Sequence, residues 1–288
     1  MNAGQSNGSA GSTGLRLWTG GAISVGERDA ETGQSAFKVR SSGVSLGADL
    51  AMTPTLDLGI GGGFGEERAE VGVHDSSVDS STFVGVVYGS WRPQAGVYLD
   101  AMLGYGQLEF DLQRRATGDN SLVTGERDGT TMFGSIGLGY DQPVSIGRLN
   151  AYGRVEGMNA QLDAYVESGS ALWALSYDER DVESLQGVIG ARYVWSHEAR
   201  DSHWTPSIRV EYRREFAEGG VQNLGYADWS AGPVYQIRST GWDRDEFAVD
   251  LGLVMGTADG WTASTELGAR LSGDQSLATL RLSLSRKF

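Results

Sequence analysis

Apolar and polar residues alternate with a period of two along most of this chain. At the C-terminal end, Leu280, Leu282 and Leu284 alternate with Arg281 and Ser283. Successive side chains of a β-strand point to opposite faces, so this period predicts strands, whereas an amphipathic helix repeats every 3.6 residues. The second segment needs a bulge near residue 42 to bring its apolar residues onto one face. We predict about twelve strands: 15–25, 36–52, 55–71, 80–92, 95–113, 128–142, 147–162, 180–197, 203–217, 243–257, 260–272 and 276–288.

The connections between these segments are alternately short and long. Four of the five prolines fall in or beside a short connection, where a missing N–H breaks no ladder bond. Short turns at one end and longer loops at the other are typical of an outer-membrane barrel. An even number of strands then places both termini on the periplasmic side, with the short turns. The longer connections are 26–35, 66–80, 114–127, 163–179 and 218–242, with a brief sixth near 273–275.

The two faces of the predicted strands differ in polarity. Strands of this length are long for a soluble sandwich but suit a tilted strand that crosses a bilayer. We therefore predict an all-β fold, a closed antiparallel transmembrane β-barrel with a polar lumen that lacks an apolar wall. Aromatic residues near the short turns are expected to form an interfacial girdle: Trp18, Trp91, Tyr98, Tyr152, Trp195, Trp204 and Trp261. The residues expected to line the lumen are Arg16, Asp49, Asp57, Asp100, Arg154, Glu156, Arg192, Arg209, Glu211, Arg213, Asp250, Glu266, Arg270, Arg281 and Lys287.

Composition narrows the class of function. The net charge of −14 argues against a nucleic-acid partner, whose phosphates need a basic surface. The absence of cysteine excludes a disulfide scaffold and thiolate metal sites. No apolar run is long enough for a transmembrane helix, and the N-terminus does not read as a signal peptide, which we expect further upstream. Residues 1–14 are expected to be a flexible leader or linker, and 15–288 the barrel.

A hydrolase active at the extracellular rim is one alternative, and a porin is another. A rim hydrolase needs His beside Asp or Ser. His197 and His203 flank a short turn, at the wrong end, which leaves His74 beside Asp75 in a long loop. A solvated loop histidine is the simpler interpretation, and no GxSxG motif is present. The loop acids lack the spacing of an EF-hand. We expect neither a cofactor nor a metal.

Five stretches resemble the autotransporter β-domain family. Any single stretch is weak evidence, whereas their order and spacing together are strong evidence. The stretches are GVSLGADLAMTPTLDLGIGGGFGEERAEV (43–71), VYGSWRPQAGVYLDAMLGYGQLEFDLQRR (87–115), NAYGRVEGMNAQLDAYVESG (150–169), LSYDERDVESLQGVIGARYVW (175–195) and WTPSIRVEYRREF (204–216). The terminal Phe288 matches the terminal aromatic of the family. The resemblance implies a translocator domain of type V secretion in a Gram-negative outer membrane, which exports and anchors an N-terminal passenger.

The resemblance also implies partners and an assembly signal. The partners would be the outer-membrane lipid bilayer, the barrel-assembly machinery, periplasmic chaperones and the passenger, with the barrel as a monomer. Family members carry a helix in the pore before the first strand. Residues 1–14 are too short and too rich in Gly and Ser for it, so we expect that helix upstream or removed by cleavage. Arg286 stands where the family has a bulky apolar residue. The expected assembly signal is Leu280, Leu282, Leu284 and Phe288.

Some members of this family cut their own passenger inside the pore, with barrel acids that activate a passenger asparagine. The candidates here are Asp100, Glu156 and Glu211, tuned by neighbouring arginines. We favour a hydrated channel lined by paired charges, because the passenger junction is not in this chain. We therefore assign no catalytic residue and expect no enzyme.

Overall fold

The computed structural model describes residues 14–29, 35–72, 76–116, 118–195, 197–199, 202–229, 232–238, 244–257, 259–273 and 275–288. No helix in these ranges is long and apolar enough to cross a membrane. Long strands carry the fold, with bounds β1 (Leu15–Arg28), β2 (Phe37–Thr53), β3 (Leu56–Val71), β4 (Ser76–Gln94), β5 (Val97–Arg115), β6 (Leu122–Val144), β7 (Gly147–Leu162), β10 (Arg180–Trp195), β12 (Ser202–Glu215), β15 (Asp245–Thr257), β16 (Trp261–Ser272) and β17 (Gln275–Lys287). The short strands are β8 (Tyr165–Val166), β9 (Leu175–Tyr177), β11 (His197–Ala199), β13 (Val221–Tyr226) and β14 (Tyr235–Arg238).

The long strands form one closed antiparallel barrel. Each long strand pairs with the next one along the chain, and β17 returns to pair with β1, so that Arg16 lies opposite Lys287 and Ile23 opposite Leu280. The predicted closed barrel of twelve strands is confirmed. Residues 14 and 288 both lie at the end of the barrel that carries the short turns.

Two details of the strands differ from the prediction. Strands β4 and β6 extend beyond the predicted segments at the long-loop end, because backbone pairing continues where the side chains no longer alternate in polarity. The bulge predicted near Ser42 is wrong. Pairing of β2 with both neighbours runs through Ser42 without a shift, and Phe37 and Val39 simply take the inward face.

The outer wall of the barrel is apolar and exposed. Along β17, the exposed fractions of Leu280, Leu282 and Leu284 are 41%, 56% and 42%, whereas Thr279 is buried and Arg281 half-buried on the opposite face. On β15, Leu251 is likewise exposed and Asp250 buried. A soluble protein rarely exposes a continuous apolar surface of this extent, so the outer wall is built to face lipid.

Two of the long loops contain a second, smaller sheet. The loop between β7 and β10 holds β8 and β9, and the loop between β12 and β15 holds β13 and β14; their order in the sheet is β14-β13-β9-β8. We call these four strands the loop sheet. Its segments are short, so the sequence period marked them only as loops.

Candidate functional site

A network of paired charges crosses the lumen side of β12, β15, β16 and β17. Arg209 Nε lies 3.0 Å from Asp250 Oδ2, and Arg209 Nη2 lies 3.1 Å from Glu266 Oε1. Arg281 Nη1 donates to the same Glu266 oxygen at 2.8 Å. The register places Gly268 beside Asp250, where any Cβ would collide with the carboxylate. Two arginines and two carboxylates are therefore mutually neutralised along this wall.

A second cluster extends this network to β7. Glu211, with 1% of its side chain exposed, accepts hydrogen bonds from Arg213 Nη2 at 2.6 Å and from the hydroxyl of Tyr152. Arg154 Nε donates to Glu156 Oε1 at 2.6 Å, and Arg154 Nη1 lies 3.6 Å from Glu211 Oε1. Glu211 and Glu156 are therefore both paired with arginines. An Arg209–Glu211 separation of 3.9 Å joins the two clusters into what we call the charge network.

A third polar cluster joins β1, β2 and β4 near the short turns. Arg16 Nε donates to Asp49 Oδ2 at 2.6 Å, and Tyr88 donates its hydroxyl hydrogen to Asp49 Oδ1. Trp18 Nε1 donates to the Tyr88 oxygen at 2.7 Å. Trp18 therefore points into the barrel, as do Tyr98 and Tyr152, and their expected place in the outer girdle is wrong. Exposed outward aromatics do lie at this end: Trp91, Trp195, Trp204 and Trp261.

The remaining residues expected in the lumen have varied partners. Arg92 Nη1 lies 2.7 Å from Asp57, Arg192 Nη2 lies 3.1 Å from Ser207 Oγ, and Arg270 Nε lies 4.0 Å from Glu246. Lys287 is exposed at the end of β17. Asp100 is half-buried on β5, and its Oδ1 has no hydrogen-bond partner among the described residues. Glu156 and Glu211 share Arg154 and Arg213, whereas Asp100 lies on β5, in the row that continues through Gly137 to Arg154.

Sequence reasoning missed several residues of these clusters. The residues concerned are Trp18, Tyr88, Arg92, Tyr152 and Glu246. Trp18, Tyr152 and Glu246 have the same parity as the charged residues Arg16, Arg154 and Asp250 on their strands, and this parity was the available signal there. On β4, Tyr88 and Arg92 share a parity that Asp79 does not, so no such signal was present in the sequence.

One side of the lumen is apolar, contrary to the expectation of a lumen without an apolar wall. Val84, Val86, Met102 and Phe133 share the inward parity of Asp100 and its neighbours on β4 to β6. The Phe133 ring packs over the inward face at Gly104, where any Cβ would collide with it. The stretch TFVGVVYGSW of β4 is apolar on both faces, so the period of two leaves its orientation ambiguous, and the structure places Val84 and Val86 inward. Strands β4 to β6 lie across the barrel from β15, β16 and β17 of the charge network, whereas the β7 end of that network adjoins β6.

Two arginines fasten the loop sheet to the inner side of β5 and β6. Arg114 donates from Nε to Glu167 Oε1 at 2.7 Å and from Nη2 to the Trp173 carbonyl at 2.9 Å. Arg127 donates to the carbonyls of Asp163 at 2.6 Å and Asp178 at 3.1 Å, among others. Both arginines have the inward parity of their strands. These bonds hold the loop sheet against the inner side of β5 and β6 at the long-loop end of the barrel.

The histidines provide no rim site in the described structure. His74 and Asp75 lie outside the described residues. The backbones of His197 and His203 lie in β11 and β12, at the short-turn end. Within the described ranges, no three His, Asp or Glu side chains converge as they would around a metal ion.

Comparison with known proteins identifies the family. The sequence model described as the autotransporter beta-domain matches residues 17–268. The translocator domain of autotransporter NalP from Neisseria meningitidis has a TM-score of 0.78 at 18% identity, over 97% of this chain and 90% of that chain. The beta domain of the Bordetella autotransporter BrkA has a TM-score of 0.68 at 13% identity, over 96% of this chain and 100% of that chain.

The transport unit of the autotransporter AIDA-I from Escherichia coli gives a TM-score of 0.60 at 13% identity, over 96% of this chain and 90% of that chain. At these identities the three structures establish the fold, and the family rests on the sequence match. A search of the curated proteins found no significant match. The chain belongs to the autotransporter β-domain family, and it is an outer-membrane translocator barrel of that family.

Proposed function

We propose that this barrel exports an N-terminal passenger through its own lumen and then anchors it, with the linker remaining in the pore. The observation that carries this proposal is the charge network on the inner wall. Its arginines and carboxylates are paired with one another, so the wall is hydrated but has no free charge of one sign to trap a passing chain. A steady, unplugged pore would instead favour a porin.

The position of residue 14 supports the same route. The Gly14 carbonyl accepts a hydrogen bond from Ala51 N at 2.9 Å, so the chain before it leaves from the short-turn end. Residues 1–13 lie outside the described residues, but they are rich in Gly and Ser, which suits a linker that reverses direction from the lumen into β1. On this proposal the short-turn end and both termini are periplasmic.

The proposal includes partners and excludes catalysis by the barrel. The barrel-assembly machinery and periplasmic chaperones would deliver the monomer to the membrane, with the C-terminal strand as the signal. Glu156 and Glu211 are engaged by arginines, which disfavours their action as bases. Asp100 has one carboxylate oxygen without a partner among the described residues.

Cysteine crosslinking tests the lumen route directly, because the chain has no cysteine of its own. Ser135 and Ile136 are neighbours on β6, the first inward and the second outward with 55% of its side chain exposed. A passenger with one cysteine would be stalled during export in cells. We expect Ser135→Cys to crosslink to the stalled passenger and Ile136→Cys, the matched control, not to do so.

Two results would contradict the proposal. Equal crosslinking at both positions would mean that the passenger does not pass specifically through the lumen of this barrel. Surface display of the passenger without any crosslink at residue 135 would mean that export takes another route.

A further inference from the structure

Arg286 lies on the outer wall of the barrel, close to the short turns. It shares the outward parity of Leu284 on β17 and stands two residues nearer to the rim. Its guanidinium carbon lies 5.1 Å from the centre of the Trp261 ring and 5.0 Å from the centre of the Phe288 ring. Both rings attract a cation placed over them, so they hold the guanidinium in a fixed place at the edge of the apolar band.

Within the described structure, no carboxylate pairs with Arg286 and no oxygen accepts a hydrogen bond from it. The aromatic rings stabilise the positive charge, but they do not satisfy the N–H groups of the guanidinium. At the edge of a bilayer, these N–H groups can donate to water or to the anionic headgroup of a lipid. The other outward Arg and Lys side chains of the described barrel strands lie toward the long loops: Lys38, Arg40, Arg68, Arg115 and Arg214.

We propose that Arg286, Trp261 and Phe288 form a binding site for the phosphate group of an anionic phospholipid in the leaflet at the short-turn end. A guanidinium binds phosphate through two parallel N–H···O bonds. The stacked rings place it before the lipid arrives, which reduces the entropic cost of binding. Leu284 and the exposed apolar wall above it contact the acyl chains. Inorganic phosphate has the same chemistry but lacks the acyl chains, so the site selects a lipid.

The test uses the full chain refolded into phosphatidylcholine vesicles with and without phosphatidylglycerol. The measured quantity is the unfolding midpoint, followed by the heat-dependent change in gel migration. We expect phosphatidylglycerol to raise the midpoint, and Arg286→Gln to lose more than half of that gain. The matched control is Arg28→Gln, which removes a guanidinium that lies 4.6 Å from the Phe37 ring centre, on the inward face at the opposite end. This variant should keep the gain.

Further arms distinguish the possible outcomes. An unchanged gain in Arg286→Gln would overturn the site. An equal gain from inorganic phosphate in pure phosphatidylcholine would overturn its selectivity for lipid. If Arg286→Gln does not refold, two other variants replace it. Arg286→Lys keeps the charge but loses the paired N–H groups, and Trp261→Leu keeps the arginine but loses one ring. Both should show a reduced gain, and a full gain in both would contradict the proposal.

Discussion

Arg213 Nη2 lies 2.6 Å from Glu211 Oε2, two residues earlier on the same strand, and together they join β12 to Arg154 and Glu156 of β7 within the charge network. Glu211→Ala would leave Arg213 with the carboxylates of Glu246 at 3.4 Å and Glu156 at 3.5 Å. We therefore expect a loss of about 3 kcal/mol in the free energy of unfolding, at the low end for breaking a buried pair. Urea unfolding in detergent measures it. The control Glu183→Ala, outward and exposed on β10, should have almost no effect, and equal losses would contradict a buried network.

The second prediction concerns depth on the lipid face. Leu251 and Leu271 are both outward and exposed, but Leu251 lies in the middle of β15 and Leu271 near the long-loop end of β16. Leu251→Arg should cost roughly 2–4 kcal/mol, because it places a charge near the bilayer midplane, whereas Leu271→Arg should cost about 0–1 kcal/mol. Unfolding in phospholipid vesicles measures both. A larger loss at Leu271 would mean that the membrane lies elsewhere along the barrel.

The sequence was sufficient for the architecture because lipid imposes a strict rule on a barrel wall. Alternation, strand length and the order of short and long connections all follow from closure in a bilayer. Leu280 and Arg281 show the rule at its clearest, with opposite faces and opposite polarity.

The lumen was less predictable, because its residues need only fit one another. Trp18 shares the inward parity of Arg16, but its partner Tyr88 on β4, to which its indole N–H donates, is not indicated by any local pattern. Phe133 points inward since Gly104 leaves room for its ring. Both positions have the inward parity of their strands, but an aromatic side chain suits either face of a barrel strand.

The third prediction tests how the loop sheet is held. Arg127 donates to the carbonyls of Leu162, Asp163 and Asp178 as well as to Gln222 Oε1. A hydrogen bond from a charged donor contributes about 1.5–3 kcal/mol, so the loss of even one should raise the open population of the sheet about tenfold. The Val123 side chain is fully buried, so a cysteine placed there reacts with a thiol reagent only when the sheet opens. Arg127→Gln should therefore increase the labelling rate of Val123→Cys.

The control for that experiment is Arg28→Gln in the same Val123→Cys background, at the same end of the barrel but away from the loop sheet. It should leave the labelling rate unchanged. Equal acceleration by both variants would show a general effect of lost charge instead of a specific latch at Arg127.

The fourth prediction concerns alkaline pH. Tyr165 is buried and stacks on Tyr177 at 4.6 Å, and this burial raises the pKa of Tyr165 above its ordinary value of 10.0. A raised pKa in the folded state means that the neutral phenol is favoured there. The resulting stabilisation is complete below about pH 10 and is lost as the pH rises toward the folded pKa. The loop sheet should therefore loosen above about pH 10.

Thiol labelling at Val123→Cys measures this loosening, with Tyr165→Phe as the matched control that keeps the ring and removes the ionisable hydroxyl. Because the thiol itself also titrates, the two rates are compared at each pH. The labelling rate of the protein that retains Tyr165, divided by the rate of the Tyr165→Phe variant, should rise as the solution becomes alkaline. A constant ratio would mean that ionisation of Tyr165 has no influence on the sheet.

The last prediction concerns the C-terminal residue. Phe288 N donates one hydrogen bond to the Leu15 carbonyl at 3.0 Å, and its ring lies beside Arg286. The rest of β17 pairs with β1 without this residue. Deletion of Phe288 should therefore change refolding in detergent only slightly. In cells, if the terminal aromatic is the signal for the assembly machinery, deletion should lower the folded barrel in the outer membrane and raise periplasmic degradation products. Normal assembly in cells would contradict the signal, whereas failure in both settings would make Phe288 structural.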